Sequence, residues 1–120
     1  MQTVEQIFDA VRKHFIYTPD GEQFNVRDDW RHHADEIGST WRDDCDGFAA
    51  TCCEIAAREG YEDTDIMFAI CTTETGGCHA VAIIKGMVLD NRQRSVWPFK
   101  SIRYTWIKAK TVGGNWREMT

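Results

Sequence analysis

The sequence predicts an α+β fold in which helices come first and an antiparallel sheet follows. Two patterns predict it. In the first sixty residues apolar side chains recur every three or four positions, whereas after Gly60 they gather in short runs separated by glycine-containing turns. With 120 residues, 42% hydrophobic and 12% aromatic, the chain has the material for one compact domain spanning residues 1–120. No internal repeat, low-complexity tract or linker marks a boundary within it.

Thr3 is placed to cap a helix with Gln6 three residues on, and Val4, Ile7, Phe8, Val11 and Phe15 then share one face, so a first helix is expected from Val4 to Phe15. Pro19-Asp20-Gly21 has turn chemistry. Trp30, Ala34 and Ile37 before Gly38 suggest a short second helix with a glycine stop, followed by a loop from Ser39 to Asp43. From Cys45, the apolar set Phe48, Ala49, Cys52, Ile55 and Ala56 follows helical spacing, with Asp43 or Asp44 as cap and Gly60 just past the end. Cys45 therefore falls in the first turn of a buried helix.

Ile66–Thr72, Cys78–Ile84 and Met87–Asp90 read as strands of an antiparallel meander, divided by Thr73-Glu74-Thr75-Gly76-Gly77 and by Lys85-Gly86. Pro98 limits Val96–Phe99 to an edge or a loop, and Tyr104–Lys110 supplies a further strand. If Lys85-Gly86 is a two-residue hairpin turn, Ile84 faces Met87, and counting outward makes His79 and Asp90 diagonal neighbours on one face. Their backbones would then lie about 7–8 Å apart, within side-chain reach.

Charge and composition exclude several classes of function. The net charge is -5 and the basic residues are scattered, so neither nucleic acid nor an anionic membrane surface is an expected partner. No apolar run approaches the roughly 20 residues of a membrane span, and the start of the chain lacks the pattern of a secretory signal. A soluble, cytoplasmic protein is expected. Five cysteines, two of them adjacent at Cys52-Cys53, do not form the spaced framework of a small disulfide protein, so reduced thiols are expected.

The chemistry concentrates in Asp43-Asp44-Cys45-Asp46-Gly47-Phe48, followed downstream by His79 and Asp90. A thiol, an imidazole and a carboxylate are the parts of a nucleophilic cysteine site. The helix start favours negative charge on sulfur through its unpaired N–H groups, and the N–H of Cys45 could receive a tetrahedral oxyanion. The neighbouring acids oppose this, because nearby negative charge disfavours a thiolate. A positive partner is required. His79 is the natural one, with Asp90 behind it, and Arg42 or a bound cation could neutralise the acids.

These residues resemble the bacterial transglutaminase-like cysteine peptidases of the transglutaminase and papain-like superfamily. The resemblance rests on Asp44-Cys45-Asp46 opening a helix, on Cys78-His79-Ala80-Val81 and on Val88-Leu89-Asp90-Asn91, with weaker support from the Trp30 region and Tyr104-Thr105-Trp106. It implies a papain/transglutaminase-like core with the cysteine helix packed on an antiparallel sheet. It also implies Cys45 as nucleophile, His79 as general base and acid, and Asp90 as the group that orients it. The activity implied is hydrolysis of an amide bond in a protein or peptide through a thioester on Cys45. The alternatives are a transamidase or deamidase using the same triad, or an inactive protein-binding module of the same fold.

No cofactor is expected to be required, although in some family members an acid just after the matching segment contributes to a calcium site. Calcium is an option through Asp44 and Asp46, but Gly47 stands where relatives commonly carry a further acid, and the other oxygen ligands that calcium needs are not evident. Familiar members are longer and secreted or periplasmic, so this chain is similar to small stand-alone copies of the kind expected on phage genomes. Zinc is disfavoured because no CxxC pair exists, and Cys52 and Cys71 read as core residues. His14, His32 and His33 read as surface residues, although His33 lies near the Trp30 face and stays a candidate for the site. Trp30 and Trp41 are candidates for a substrate groove or the oxyanion region, although a core position suits each tryptophan better.

Overall fold

The structure is a computed structural model that describes residues 1–19 and 32–119. Helix α1 runs Val4–Lys13 and is started by a reciprocal capping box between Thr3 and Gln6. It stops two residues earlier than the periodicity suggests. Phe15 lies in phase with the helical stripe, yet Phe15–Tyr17 forms strand β1, which pairs in parallel with β2, Trp41–Asp43. This short ladder overrides the local helical pattern at Phe15 and converts the expected 39–43 loop into a strand. Phe15 remains a core residue through its contacts with Trp41 and Phe48.

The expected second helix is not formed by its described part. Residues 34–38 make successive turns, with the N–H of Glu36 donating to the His33 carbonyl and that of Ser39 to the Glu36 carbonyl. Trp30 and the Asp20-Gly21 turn lie outside the described residues.

Helix α2, Cys45–Glu59, begins and ends where its cap residues indicate. The Asp44 side chain accepts from the N–H groups of Asp46 and Gly47, and Gly60 ends the helix with φ +101°, a conformation that glycine adopts without strain.

The sheet comprises β3 (Ile66–Thr72), β4 (Cys78–Ile84), β5 (Met87–Leu89), β6 (Trp97–Pro98), β7 (Thr105–Thr111) and β8 (Arg117–Glu118), in the order β6-β5-β4-β3-β7-β8. The first three form the expected meander, and the proline-containing β6 pairs with β5 at its edge. Strand β7 returns to the free side of β3, with a register shift at Ile70/Cys71. The Lys85-Gly86 turn has positive φ at both positions, 52° and 79°, and sets Ile84 opposite Met87 as expected.

Both faces of the sheet are covered. Ile66, Ala82, Ile84 and Leu89 pack with Val4, Ile7, Phe8, Val11 and Phe48 from the two helices. On the other face, Ala69, Cys71, Val81, Ile83, Val88 and Ala109 pack with Tyr104. Burial on both faces explains why β4 is a continuous apolar run and not an alternating one.

Candidate active site

Three elements bring the chemistry together: the start of α2, the start of β4 and the end of β5. Cys45, in the first helical turn, is partly exposed and packs against Ala80, whose backbone N–H reaches its sulfur. The thiol therefore lies beside the peptide that joins His79 to Ala80. Its proton points toward Asp46, with Sγ 3.8 Å from Oδ1.

His79 is 6% exposed and Asp90 fully buried. His79 Nε2 lies 2.7 Å from Asp90 Oδ1, which realises the diagonal pair expected from the hairpin register. A carboxylate can only accept, so Nε2 carries the hydrogen of this bond, and Nδ1 is the ring nitrogen left for proton transfer. The His79 ring is also fixed edge-on against Tyr104, with centroids 5.8 Å apart.

Asp90 is held from three sides: by His79, by the Arg92 backbone N–H at 2.9 Å and by the Tyr104 hydroxyl, which donates to Oδ2. Burial by itself would raise its pKa, but the bonds from His79 and Tyr104 outweigh that and hold it below the ordinary carboxylate value. Tyr104 is pushed up to about 12 by burial and by Asp90, so it remains a donor at neutral pH. Arg92 Nη1 donates to the Tyr104 hydroxyl at 3.1 Å and Arg92 Nη2 to Glu74 at 2.8 Å, which ties this network to the β3–β4 turn.

Tyr104 is the residue that sequence reasoning left without a role. Only its place in the weakly matching aromatic segment marked it; its spacing from Asp90 carries no signal, since a long connection separates them. Replacing Tyr104 with Phe is expected to raise the Asp90 pKa, read by NMR titration of the carboxyl. It should also cost about 1–3 kcal/mol in denaturant unfolding, the order expected for a buried acceptor that loses its donor. An unchanged Asp90 titration would remove Tyr104 from the network.

The Cys45 thiol is pushed up to about 12, first by burial and then by the charges of Asp46, Asp44 and Asp90, against which the Ala80 N–H acts in the opposite direction. The acids are thus a real electrostatic opposition to a free thiolate. They favour a resting thiol whose proton leaves only as attack proceeds.

Trp41 is 4% exposed and belongs to the core, packed between Phe15, His33 and Phe48. This corrects its candidacy as a groove residue: the β1–β2 ladder turns it inward. His33, expected on a solvated surface, instead joins Asp43 at 2.7 Å and also bonds Glu36. Cys52 and Cys71 fill core positions as expected.

Two of the acids near Cys45 are engaged within the protein. Asp44 caps the helix through Oδ1, and a side chain on Gly47 would meet the Asp43 carboxylate, whose Oδ2 lies 1.9 Å from where its Cβ would stand. Among the described residues no group of three or more histidine, cysteine, aspartate or glutamate side chains is arranged to hold a metal.

The family model described as bacterial transglutaminase-like cysteine proteinase matches residues 1–120. The chain belongs to that family. Solved structures of Legionella pneumophila LapG share the fold of this cysteine proteinase family member. The EGTA-treated form aligns with a TM-score of 0.74 at 15% identity, covering 98% of this chain and 66% of that one. The calcium-bound form aligns with a TM-score of 0.66 at 15% identity, covering 87% and 62%. The chain thus spans just under two thirds of the LapG chains it matches. No curated protein sequence matches it.

Proposed function

We propose that this chain is a thiol peptidase that cleaves an amide bond of a protein or peptide through a thioester on Cys45. The observation that carries this is the His79 Nε2 to Asp90 Oδ1 bond at 2.7 Å beside a partly exposed cysteine at a helix start. Cys45 Sγ attacks the carbonyl carbon while His79 Nδ1 takes the thiol proton, and Asp90 stabilises the resulting imidazolium. The oxyanion forms near the helix start, where the Cys45 N–H is the donor that the Asp44 cap leaves unused. Collapse of the tetrahedral intermediate breaks the C–N bond, with the proton returned from His79 to the leaving amine. Water, activated by the same imidazole, then attacks the thioester, releases the acid and restores the thiol. Transamidation or deamidation shares this acyl-enzyme and differs in the nucleophile or in the amide attacked.

Electrophilic trapping tests this. A vinyl-sulfone peptide probe is expected to modify Cys45 ahead of the exposed Cys78, as located by mass spectrometry of the intact, folded protein. Modification of Cys78 in preference to Cys45 would overturn the reading. Calcium is known from the LapG structure, and for this chain we read the acids as acting without it, because their carboxylates are engaged within the protein.

A further inference from the structure

The approach to Cys45 carries three consecutive-region acids, Asp43, Asp44 and Asp46, and the peptidase reading above requires that they be tolerated beside a nucleophile. Asp44 is used as the helix cap. Asp43 has a different fate. Its Oδ1 accepts from the Asp44 backbone N–H at 2.7 Å, and its Oδ2 accepts from His33 Nε2 at 2.7 Å. The other ring nitrogen of His33 bonds the Glu36 carboxylate. A ring that bonds one carboxylate at each nitrogen donates from both, which is the arrangement of an imidazolium.

The same residue is anchored through its main chain. The His33 N–H donates to Thr51 Oγ1 at 2.9 Å, and Thr51 in turn donates to the Gly47 carbonyl at 2.7 Å. Thr51 is fully buried in the second turn of α2. His33 is therefore tied to the second turn of the nucleophile helix by its backbone, and by its ring to Asp43, the last residue of β2, whose Oδ1 holds the N–H of the helix cap Asp44. Trp41 packs on that ring with centroids 5.0 Å apart.

Gly47 completes the arrangement. Because the Asp43 carboxylate occupies the space of any Cβ at position 47, a side chain there and the His33-bound carboxylate are mutually exclusive. The chain has the carboxylate and its imidazole.

We propose that His33 is a positioning residue, the counter-ion built into the acidic approach to Cys45, which holds Asp43 over Gly47 and so fixes the first turn of α2. Burial opposes charge on this ring, but the bonds and charges of Glu36 and Asp43 outweigh it and raise its pKa. Among the described residues, no other titratable group is bonded to the ring. The proposal rests on Cys45 being the nucleophile for its functional part only; the counter-ion itself is a statement about Asp43.

Three variants test it, with vinyl-sulfone labelling of Cys45 and melting temperature as readouts, each measured in EGTA and in calcium chloride. His33→Ala is expected to slow labelling by at least about tenfold, the scale on which lost supporting contacts act. His33→Arg, which keeps the charge and can bond both carboxylates, should recover more of the labelling rate and melting temperature than His33→Gln, which keeps only a neutral donor. The wild type should show the same rate and melting temperature with calcium as with EGTA. If His33→Ala does not fold, the comparison of Arg with Gln still decides. Full recovery in His33→Gln, or faster labelling or a higher melting temperature of the wild type in calcium, would overturn the proposal. If Cys45 is inert in the wild type under both conditions, the nucleophile reading fails, and the melting temperatures of the Arg and Gln variants alone judge the counter-ion.

Discussion

Replacing His79 with Ala is expected to slow peptide cleavage by about 10²–10⁴-fold, the contribution of a positioned general base and acid. The same change should slow vinyl-sulfone labelling of Cys45. The reason lies in the electrostatics of the thiol. Burial and the charges of Asp46, Asp44 and Asp90 push Cys45 up to about 12, so at neutral pH almost none of it ionises by itself. A proton acceptor has to act during attack. Raising the pH should therefore restore part of the labelling in His79→Ala, as hydroxide does the work of the imidazole, while the wild type changes less. Labelling of His79→Ala at the wild-type rate near neutral pH would mean that Cys45 needs no base, and the mechanism would fall.

Replacing Asp90 with Asn should reduce turnover by about 10⁴-fold, the scale seen when the carboxylate of such a triad becomes an amide and the imidazole takes the wrong tautomer. Asp90 Oδ1 accepts from His79 Nε2 and the Arg92 N–H while Oδ2 accepts from the Tyr104 hydroxyl, and an amide at this position cannot accept on both sides. The stability effect has a defined pH signature. Burial raises the Asp90 pKa, but the bonds from His79 and Tyr104 depress it below its unfolded value of 3.8. A depressed carboxylate stabilises the fold above the unfolded pKa and loses that contribution as pH falls through the lower folded value. The stability gap between wild type and Asp90→Asn should therefore hold steady from neutral pH to about pH 5 and shrink below about pH 4. Denaturant unfolding across that range measures it. A gap that does not shrink in acid would show that Asp90 is not held ionised by its donors.

Much of the site was legible in the sequence because its signals are local. An aspartate cap at position 43 or 44 and Gly60 as stop bracket the nucleophile helix through backbone chemistry that depends on a few adjacent residues. The Lys85-Gly86 turn determines a register by counting, and that register alone brought His79 within reach of Asp90. Tyr104 and His33 escaped for the opposite reason. Tyr104 reaches Asp90 because β7 crosses back to the free side of β3, and His33 reaches Asp43 because β1 and β2 pair across an intervening segment of more than twenty residues. Neither partner is set by periodicity.

The sequence by itself determined the α+β order, the placement of Cys45 in a first helical turn, the hairpin that pairs His79 with Asp90, and the acids that oppose a thiolate. Only the tertiary structure decided how that opposition is managed. It assigns Asp44 to the helix cap, surrounds Asp90 with three donors, turns Trp41 into the core and seats the Asp43 carboxylate against His33 in the space above Gly47. These outcomes depend on distances between residues far apart in the chain, and such distances arise from packing two helices and returning strands onto one sheet.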